Sequence, residues 1–218
     1  MHTLLAQLVA DLAFTGSIAS DAPAFLVLHG HPATAQHSAG VAAEAGRIAA
    51  LVQVDVVAAQ QAGWLHDISA VFASPERARV ADVLGVEVLE EERAYPPILH
   101  QKLSAVLARE LFGVSDGGVL SAIACHTTLR AGATDLDKVV FLADKIAWDQ
   151  PGEPPYLAEL LAALSSPTCG APGSARLLDA AALVYLNYLW QRRDTLPVVH
   201  PWMCDARQEL CKGILSCP

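Results

Sequence analysis

The stretch Gly63-Trp64-Leu65-His66-Asp67-Ile68 places a histidine and an aspartate side by side at the end of an apolar segment. The segment before the pair has the residue composition and spacing of a helix. Burying an imidazole or a carboxylate is costly unless the group finds a polar or ionic partner. We therefore expect His66 and Asp67 to lie at a helix end where other polar side chains meet them.

Four further ionisable residues interrupt apolar helical segments in the same way: His37, His100, His126 and Asp144. Separate hydrogen bonds to the backbone would explain one such histidine in a core. For four histidines and two aspartates on different helices, one shared site is the simpler interpretation. Neutral imidazoles and carboxylates are ligands suited to iron, manganese or zinc. The pattern thus predicts a divalent-metal site.

The composition excludes several classes of protein. The 218 residues carry 14 Lys and Arg against 23 Asp and Glu, a formal charge of −9, which argues against sequence-independent binding of nucleic acid. The longest charge-free stretch, 22–43, contains three histidines, so we expect no membrane span. An N-terminus without a basic region and an odd number of cysteines, five, predict a reducing, cytoplasmic location.

Alanine and leucine dominate the chain, and apolar residues recur every three or four positions, so the predicted fold class is all-α. Only 24–28 has the character of a short strand. Asp55, Ser74, Ser115 and Thr134 are predicted to cap helix N-termini, and Gly85 and Gly113 to end helices. The predicted helices lie near 3–14, 34–52, 55–68, 75–84, 97–112, 115–126, 134–148, 155–165, 174–193 and 201–214.

Two turn-rich segments, 149–155 and 165–173, interrupt the helical pattern. We therefore divide the chain into an N-terminal helix and lead-in (1–33), a core (34–148) and a C-terminal helical extension (149–218). Trp148 and Trp202 are expected to pack the extension onto the core rather than to stack on a nucleobase. Cys204 and Cys211 lack the close pairing of a structural zinc site, so they are interpreted as unpaired thiols.

The order His37, His66-Asp67, Asp144 resembles that of the HD-domain metal-dependent phosphohydrolases, and it implies an HD-domain helical bundle. Three further segments resemble the YqeK-type bacterial branch, whose characterised members are symmetrical bis(5′-nucleosyl)-tetraphosphatases. The segments are Ile98-Leu99-His100, Ala122-Ile123-Ala124-Cys125-His126-Thr127-Thr128 and Leu142-Ala143-Asp144-Lys145-Ile146. The resemblance covers residues 36–146.

This resemblance implies two divalent ions, with iron as the first expectation and manganese or another cation as the alternative. It makes His66 and Asp67 the catalytic pair, with Asp67 able to bridge both ions. It assigns one ion to His37, His66, Asp67 and Asp144, and it assigns completion of the second site to His100 and His126. Two cations would lower the pKa of a water, and the resulting hydroxide would cleave diadenosine tetraphosphate into two ADP.

The sequence departs from the family pattern at two positions that often carry a basic residue, here Gly40 and Ala70. Both departures remove positive charge expected near substrate phosphates, and they leave two alternatives open. One is an HD-type enzyme acting on another nucleotide or small phosphoester, and the other is a non-catalytic module binding metal or nucleotide. The predicted partners are a small nucleotide and a second copy in a homodimer. The predicted substrate contacts are Lys145, Lys102 and Arg130, which would compensate for the lost charge, and Thr127.

Overall fold

The computed structural model describes residues 2–165 and 174–215, and these residues contain helices and connecting turns but no strand. The prediction of an all-α fold is confirmed. The helices are α1 (Thr3–Leu8), α2 (Ile18–Leu28), α3 (Pro32–Val52), α4 (Val56–Leu65), α5 (Arg77–Val83), α6 (Glu90–Ala94), α7 (His100–Leu111), α8 (Gly117–Cys125), α9 (Asp135–Ile146), α10 (Leu157–Ser165), α11 (Ser174–Gln191) and α12 (Pro201–Leu215).

Local side-chain chemistry sets several of these boundaries as predicted. The Asp55 carboxylate accepts hydrogen bonds from the first free backbone N–H groups of α4, and the Thr134 hydroxyl caps α9 in the same way. Gly85 and Gly113 follow the ends of α5 and α7 with φ of 69° and 66°, a conformation that glycine adopts without strain.

Two predicted caps were wrong. The N-cap of α8 is Asp116, not Ser115, because the Asp116 carboxylate accepts from two N–H groups of the first turn, at 2.7 and 3.2 Å. Ser74 does not cap α5 either. It opens a short 3-10 turn, Ser74–Glu76, that leads into the helix.

The segment 24–28, which has strand character in the sequence, forms the second half of α2. Its apolar side chains are buried in a helical pattern, since Phe25 and Leu26 face the core while Val27 and Leu28 are exposed. The preceding helix is shorter than predicted, because α1 ends at Leu8 and the chain turns at Gly16, whose φ is 86°.

The core that positions the site is built around α3, which packs against α4 and α9, and around α8, which packs against α4, α7 and α9. Two apolar clusters fill it. One contains Phe25, Leu65, Leu103 and Ile123, and the other contains Ile48, Phe141, Leu186 and Met203. The second cluster includes residues of α11 and α12, so burial of apolar area holds the C-terminal helices against the core.

The start of α12 is fixed to the core by a buried group of charges. The fully buried Glu92 carboxylate accepts hydrogen bonds from Lys102, at 2.8 Å, and from His200, at 3.2 Å. The Trp202 ring lies 4.7 Å from the Lys102 ammonium. Trp202 thus packs the extension onto the core as expected, whereas Trp148 is 43% exposed and does not.

Cys204 and Cys211 are free thiols, in agreement with the sequence interpretation. Most of the predicted turn-rich segment 165–173 lies outside the described residues. Among the helices that the structure describes, none is both long enough and apolar enough to cross a membrane.

Candidate metal centre

Five helices bring the predicted ligands together. His37 lies on α3, His66 and His126 directly follow the last residues of α4 and α8, His100 opens α7, and Asp144 lies near the end of α9. The four imidazoles form a row in which neighbouring ring centroids are 5.2, 4.8 and 4.8 Å apart, in the order His37, His66, His126, His100. Packing of α3, α4, α7, α8 and α9 therefore assembles one polar cluster.

Asp67 stands at the centre of this row and belongs to two potential metal-binding groups. Its carboxylate lies 3.5 Å from His66 Nε2, 3.3 Å from His100 Nε2 and 3.6 Å from His126 Nε2. The first group consists of His37, His66 and Asp67, and the second of Asp67, His100 and His126. Asp67 is thus placed to contact ions in both groups.

Three of the imidazoles are oriented by the same secondary interaction. In each, Nδ1 lies 2.8 Å from the carbonyl oxygen three residues earlier, in the pairs His66–Gly63, His100–Pro97 and His126–Ile123. A carbonyl oxygen can only accept, so Nδ1 carries the hydrogen and Nε2 of the neutral ring is left as a lone pair. This is the tautomer and the outer-shell bond that metal-ligating histidines use.

The donor atoms of the cluster fit a cation. The Nε2 atoms of His100 and His126 are 2.9 Å apart, and two lone pairs at that distance repel unless positive charge lies close to both. His66 Nε2 is buried without a hydrogen-bond partner among the described residues. A divalent ion would satisfy these atoms together, and imidazole with carboxylate is a ligand set that suits iron, manganese or zinc.

The electrostatics of the cluster also favour positive charge. Burial lowers the pKa of His66, but Asp67 and Asp144 together raise it to about 9. Burial raises the pKa of Asp67, yet the surrounding histidines hold it well below its usual range. His100 differs, because burial lowers its pKa to about 4. The centre thus combines ionised carboxylates with an imidazole that is neutral near pH 7.

Asp144 connects the centre to Lys145. One Asp144 oxygen lies 3.1 Å from His37 Nε2, and the other accepts from the Lys145 ammonium at 2.5 Å. Lys145 is 8% exposed, and its ammonium also lies 3.4 Å from the His126 carbonyl oxygen. Among the suggested substrate contacts, Lys145 therefore lies within the cluster, where it neutralises and orients Asp144.

Gln101 is a positioning residue that the sequence did not reveal. Its side-chain oxygen accepts hydrogen bonds from the backbone N–H groups of Thr127, at 3.1 Å, and Thr128, at 3.3 Å. These bonds tie the turn after α8 to the start of α7 and so hold His126 beside His100. Nothing in the local sequence signals this contact, because its two sides are 26 residues apart.

An open cavity of about 400 Å³ adjoins the His100 end of the row, and Asp67 also lines it. The Thr127 hydroxyl faces it and lies 2.9 Å from His100 Nε2. Arg77, absent from the sequence prediction, also lines the cavity, and its guanidinium donates hydrogen bonds to the Pro97 carbonyl, at 2.7 Å, and to the Phe72 carbonyl, at 3.2 Å. Arg77 thus supplies a basic group to the lining of the cavity that Ala70 also lines. The full lining is Asp67, Ala70, Arg77, Tyr95, Pro97, Ile98, His100 and Thr127.

The two other suggested substrate contacts are engaged away from this cavity. The Lys102 ammonium binds the Glu92 carboxylate and the Glu87 carbonyl, and the Arg130 guanidinium donates to the Ser121 hydroxyl at 2.7 Å. Neither residue lines the cavity beside Asp67. Lys102 lies only two residues after His100, and side chains two apart on a helix point in different directions.

Comparison with known proteins agrees with this geometry. Residues 34–149 match the HD domain family. A Lactococcus lactis subsp. cremoris protein, described as an uncharacterized protein in the pepC 5′ region, is 45% identical over 149 residues, which cover 68% of this chain and 70% of that protein. A Halalkalibacterium halodurans protein named bis(5′-nucleosyl)-tetraphosphatase, symmetrical, is 33% identical over 113 residues. That match covers 51% of this chain and 59% of the relative.

A solved structure extends the agreement to most of the chain. The structure, described as a predicted HD superfamily hydrolase involved in NAD metabolism from Clostridium acetobutylicum, superposes with a TM-score of 0.77 at 25% identity. The superposition covers 88% of this chain and 96% of the other. The chain therefore belongs to the HD-domain family and has the all-α HD fold that its sequence predicted.

Proposed function

We propose that the chain is a metal-dependent hydrolase of nucleotide polyphosphates that cleaves diadenosine tetraphosphate symmetrically into two ADP. The observation that carries this proposal is the place of Asp67 in two ligand groups at the edge of an open cavity. Relatives named symmetrical bis(5′-nucleosyl)-tetraphosphatase from Halalkalibacterium halodurans and Staphylococcus aureus support the choice of substrate, at 33% and 32% identity over about half of the chain.

Two divalent ions would be held by the six residues of the cluster, with Asp67 shared between them. Iron is the first candidate from the family resemblance, and manganese or another divalent cation is the alternative. When bound, such ions make water a stronger nucleophile at neutral pH and neutralise charge on phosphate oxygens. The overall reaction adds one water across the central phosphoanhydride bond and releases two ADP.

The chain itself supplies orientation and charge. The three Nδ1–carbonyl bonds fix the imidazole rings, and Lys145 fixes Asp144. Arg77 offers guanidinium N–H donors to substrate phosphate oxygens, and charge-assisted bonds of this kind are among the stronger ones. Thr127 can donate its hydroxyl to a phosphate oxygen once His100 Nε2 is occupied by a cation.

A second candidate keeps the metal centre and changes the substrate to another nucleotide or a smaller phosphoester. Glycine at position 40 favours it, because the cavity of about 380 Å³ beside His37 is lined by Gly40 and by no lysine or arginine of the described residues. Asp149 also lines this cavity, and its carboxylate lies 3.9 Å from His37 Nδ1. Acidic charge at this end would disfavour a long polyphosphate.

Product analysis separates these candidates. Protein purified without oxygen and supplied with ferrous iron or manganese would be incubated with diadenosine tetraphosphate, and the products separated by chromatography. We expect ADP alone. ATP with AMP would contradict symmetrical cleavage. Unchanged substrate in the presence of bound metal would overturn the proposal in favour of a smaller phosphoester or a non-catalytic binding role.

Metal should stabilise the fold measurably. Adding manganese to metal-free protein, at about 100 times its Kd, is expected to raise the melting temperature by roughly 5 to 10 °C, because the ion binds only the folded arrangement of ligands. Differential scanning fluorimetry measures the shift. The variant His66→Ala should show no comparable shift, and an equal shift in that variant would place the bound metal elsewhere.

Arg77 should contribute to substrate binding. The variant Arg77→Gln is expected to raise KM for diadenosine tetraphosphate about tenfold or more, because it removes a charged donor from the phosphate cavity. Arg77→Lys should recover part of the loss, since it restores the charge without the planar fork. Arg79→Gln is the matched control, because Arg79 is exposed and forms a surface ion pair with Glu76. Equal KM values for Arg77→Gln and Arg79→Gln would contradict the assignment.

A further inference from the structure

A second cavity, of about 170 Å³, lies where the C-terminal helices meet the core. The core contributes the end of α6 and the turns before α7 and after α8. The extension contributes α11, the segment before α12, and α12 itself. The residues that line this second cavity are Tyr95, Ile98, Thr127, Thr128, Tyr185, Leu189, Leu196, Pro197, Val198, His200 and Met203.

This cavity adjoins the one at the metal centre. Tyr95, Ile98 and Thr127 line both, so they form the boundary between the two spaces. Thr127 is also the residue whose hydroxyl lies 2.9 Å from His100 Nε2. Small-molecule sites usually measure about 300 to 1,000 Å³, so the smaller cavity by itself has room for only part of a typical ligand.

The two cavities differ in chemistry. The larger one has a guanidinium and a carboxylate in its wall, whereas no lysine, arginine, aspartate or glutamate lines the smaller one. Leu189, Val198 and Met203 give the smaller cavity an apolar wall. Tyr185, whose hydroxyl makes no hydrogen bond within the part of the chain that the structure describes, is also in its lining. An uncharged, flat group with a few polar atoms matches such a lining.

The extension side of this cavity is held in place by the buried charges described above. His200 donates from Nε2 to Glu92, and its Nδ1 accepts from the Trp202 backbone N–H at 3.2 Å. Both nitrogens are therefore committed to structure. Because Glu92 is also bound to Lys102 of α7, the segment 196–200 is anchored to the core rather than free to close the cavity.

We propose that this cavity is the nucleobase subsite of the enzyme, which receives one base of the substrate while the phosphates lie between Arg77 and the metal centre. The inference rests on the proposed function for the placement of the phosphates. It assigns to the C-terminal extension the selection of nucleotides over base-free polyphosphates. The path from Asp67 past Thr127 into the cavity gives the direction in which the nucleoside extends.

Binding measurements test the proposal without requiring turnover. The Kd values of ADP and of inorganic pyrophosphate would be determined by calorimetry on manganese-loaded protein. Leu189→Trp, which fills the cavity, is expected to raise the Kd of ADP about tenfold or more and to change the Kd of pyrophosphate far less. A stacked or packed base contributes binding free energy on that scale. The control is Gln191→Trp, an exposed site on the same helix.

Equal losses of affinity for ADP and pyrophosphate, or no loss of affinity for ADP, would overturn the assignment of the subsite. A second measurement uses the unaltered chain: photo-crosslinking with an azido-adenine derivative of ADP should label peptides within 185–203, and labelling confined to other peptides would also overturn it. If diadenosine tetraphosphate is not hydrolysed but ADP binding responds as expected, the proposed function fails while the subsite stands.

Discussion

The variant Asp67→Asn is expected to lower hydrolysis of diadenosine tetraphosphate on the order of 10³-fold and to remove most bound metal, because Asp67 belongs to both ligand groups. Asparagine keeps the shape of the side chain but loses the negative charge that three imidazoles surround. Metal analysis of the purified variant and its turnover rate measure the two effects. The double variant His66→Ala with Asp67→Ala should abolish both together.

A comparison with His100→Ala makes this prediction sharper. His100 belongs to one of the two ligand groups, whereas Asp67 belongs to both. The decrease in metal content of His100→Ala should therefore be about half the decrease in Asp67→Asn. Asp82→Asn is the control, because Asp82 forms a surface pair with Arg93 and should leave metal and turnover unchanged. Turnover that survives the double variant at Asp67 and His66 would show that the centre has been assigned to the wrong residues.

The variant Gly63→Ala is expected to destabilise the fold by about 3 kcal/mol, near the upper end of the usual effect of overpacking. A Cβ atom at position 63 would lie 2.6 Å from Ala42 Cα and 2.8 Å from the Ala42 nitrogen. These are backbone atoms of α3, so α3 and α4 must move apart. Urea denaturation followed by circular dichroism measures the loss.

The same variant should also disturb the metal centre. The Gly63 carbonyl accepts the hydrogen bond that orients His66, so displacement of α4 moves a ligand. Gly40→Ala is the matched control, since its Cβ would meet only the Ala147 side chain, at 3.8 Å, and alanine improves helix propensity by up to about 1 kcal/mol. Equal stabilities for the two variants would contradict the close approach of α3 and α4 at Gly63.

Much of the candidate centre could be predicted from the sequence, because its ligands interrupt apolar helices. His66 and Asp67 follow an apolar segment directly, and Asp144 follows five consecutive apolar residues. Burial of such groups requires partners, so their common environment could be inferred before their positions were known. The tautomer of each ring could not, because it depends on a carbonyl whose direction the helix end decides.

The sequence does not distinguish helix from strand where a segment fits the apolar pattern of both. A short apolar run such as 24–28 fits both a buried strand and a helix, and only its continuity with Ile18–Leu28 resolves the choice. The N-cap of α8, which is Asp116 rather than Ser115, likewise could not be selected from the sequence. Both residues are favoured at N-caps, and the backbone geometry selects one.

The sequence alone determined the all-α fold and the identity of the ionisable residues that must share one environment, since both follow from local spacing and from the free energy of burying charge. The tertiary structure decided which basic groups line the cavity beside Asp67. Lys102 is two residues from His100 yet binds Glu92, while Arg77, ten residues from Asp67, lines its cavity. The position of charged side chains around a site depends on how the helices pack, because the spacing of residues along the sequence does not determine contacts between distant segments.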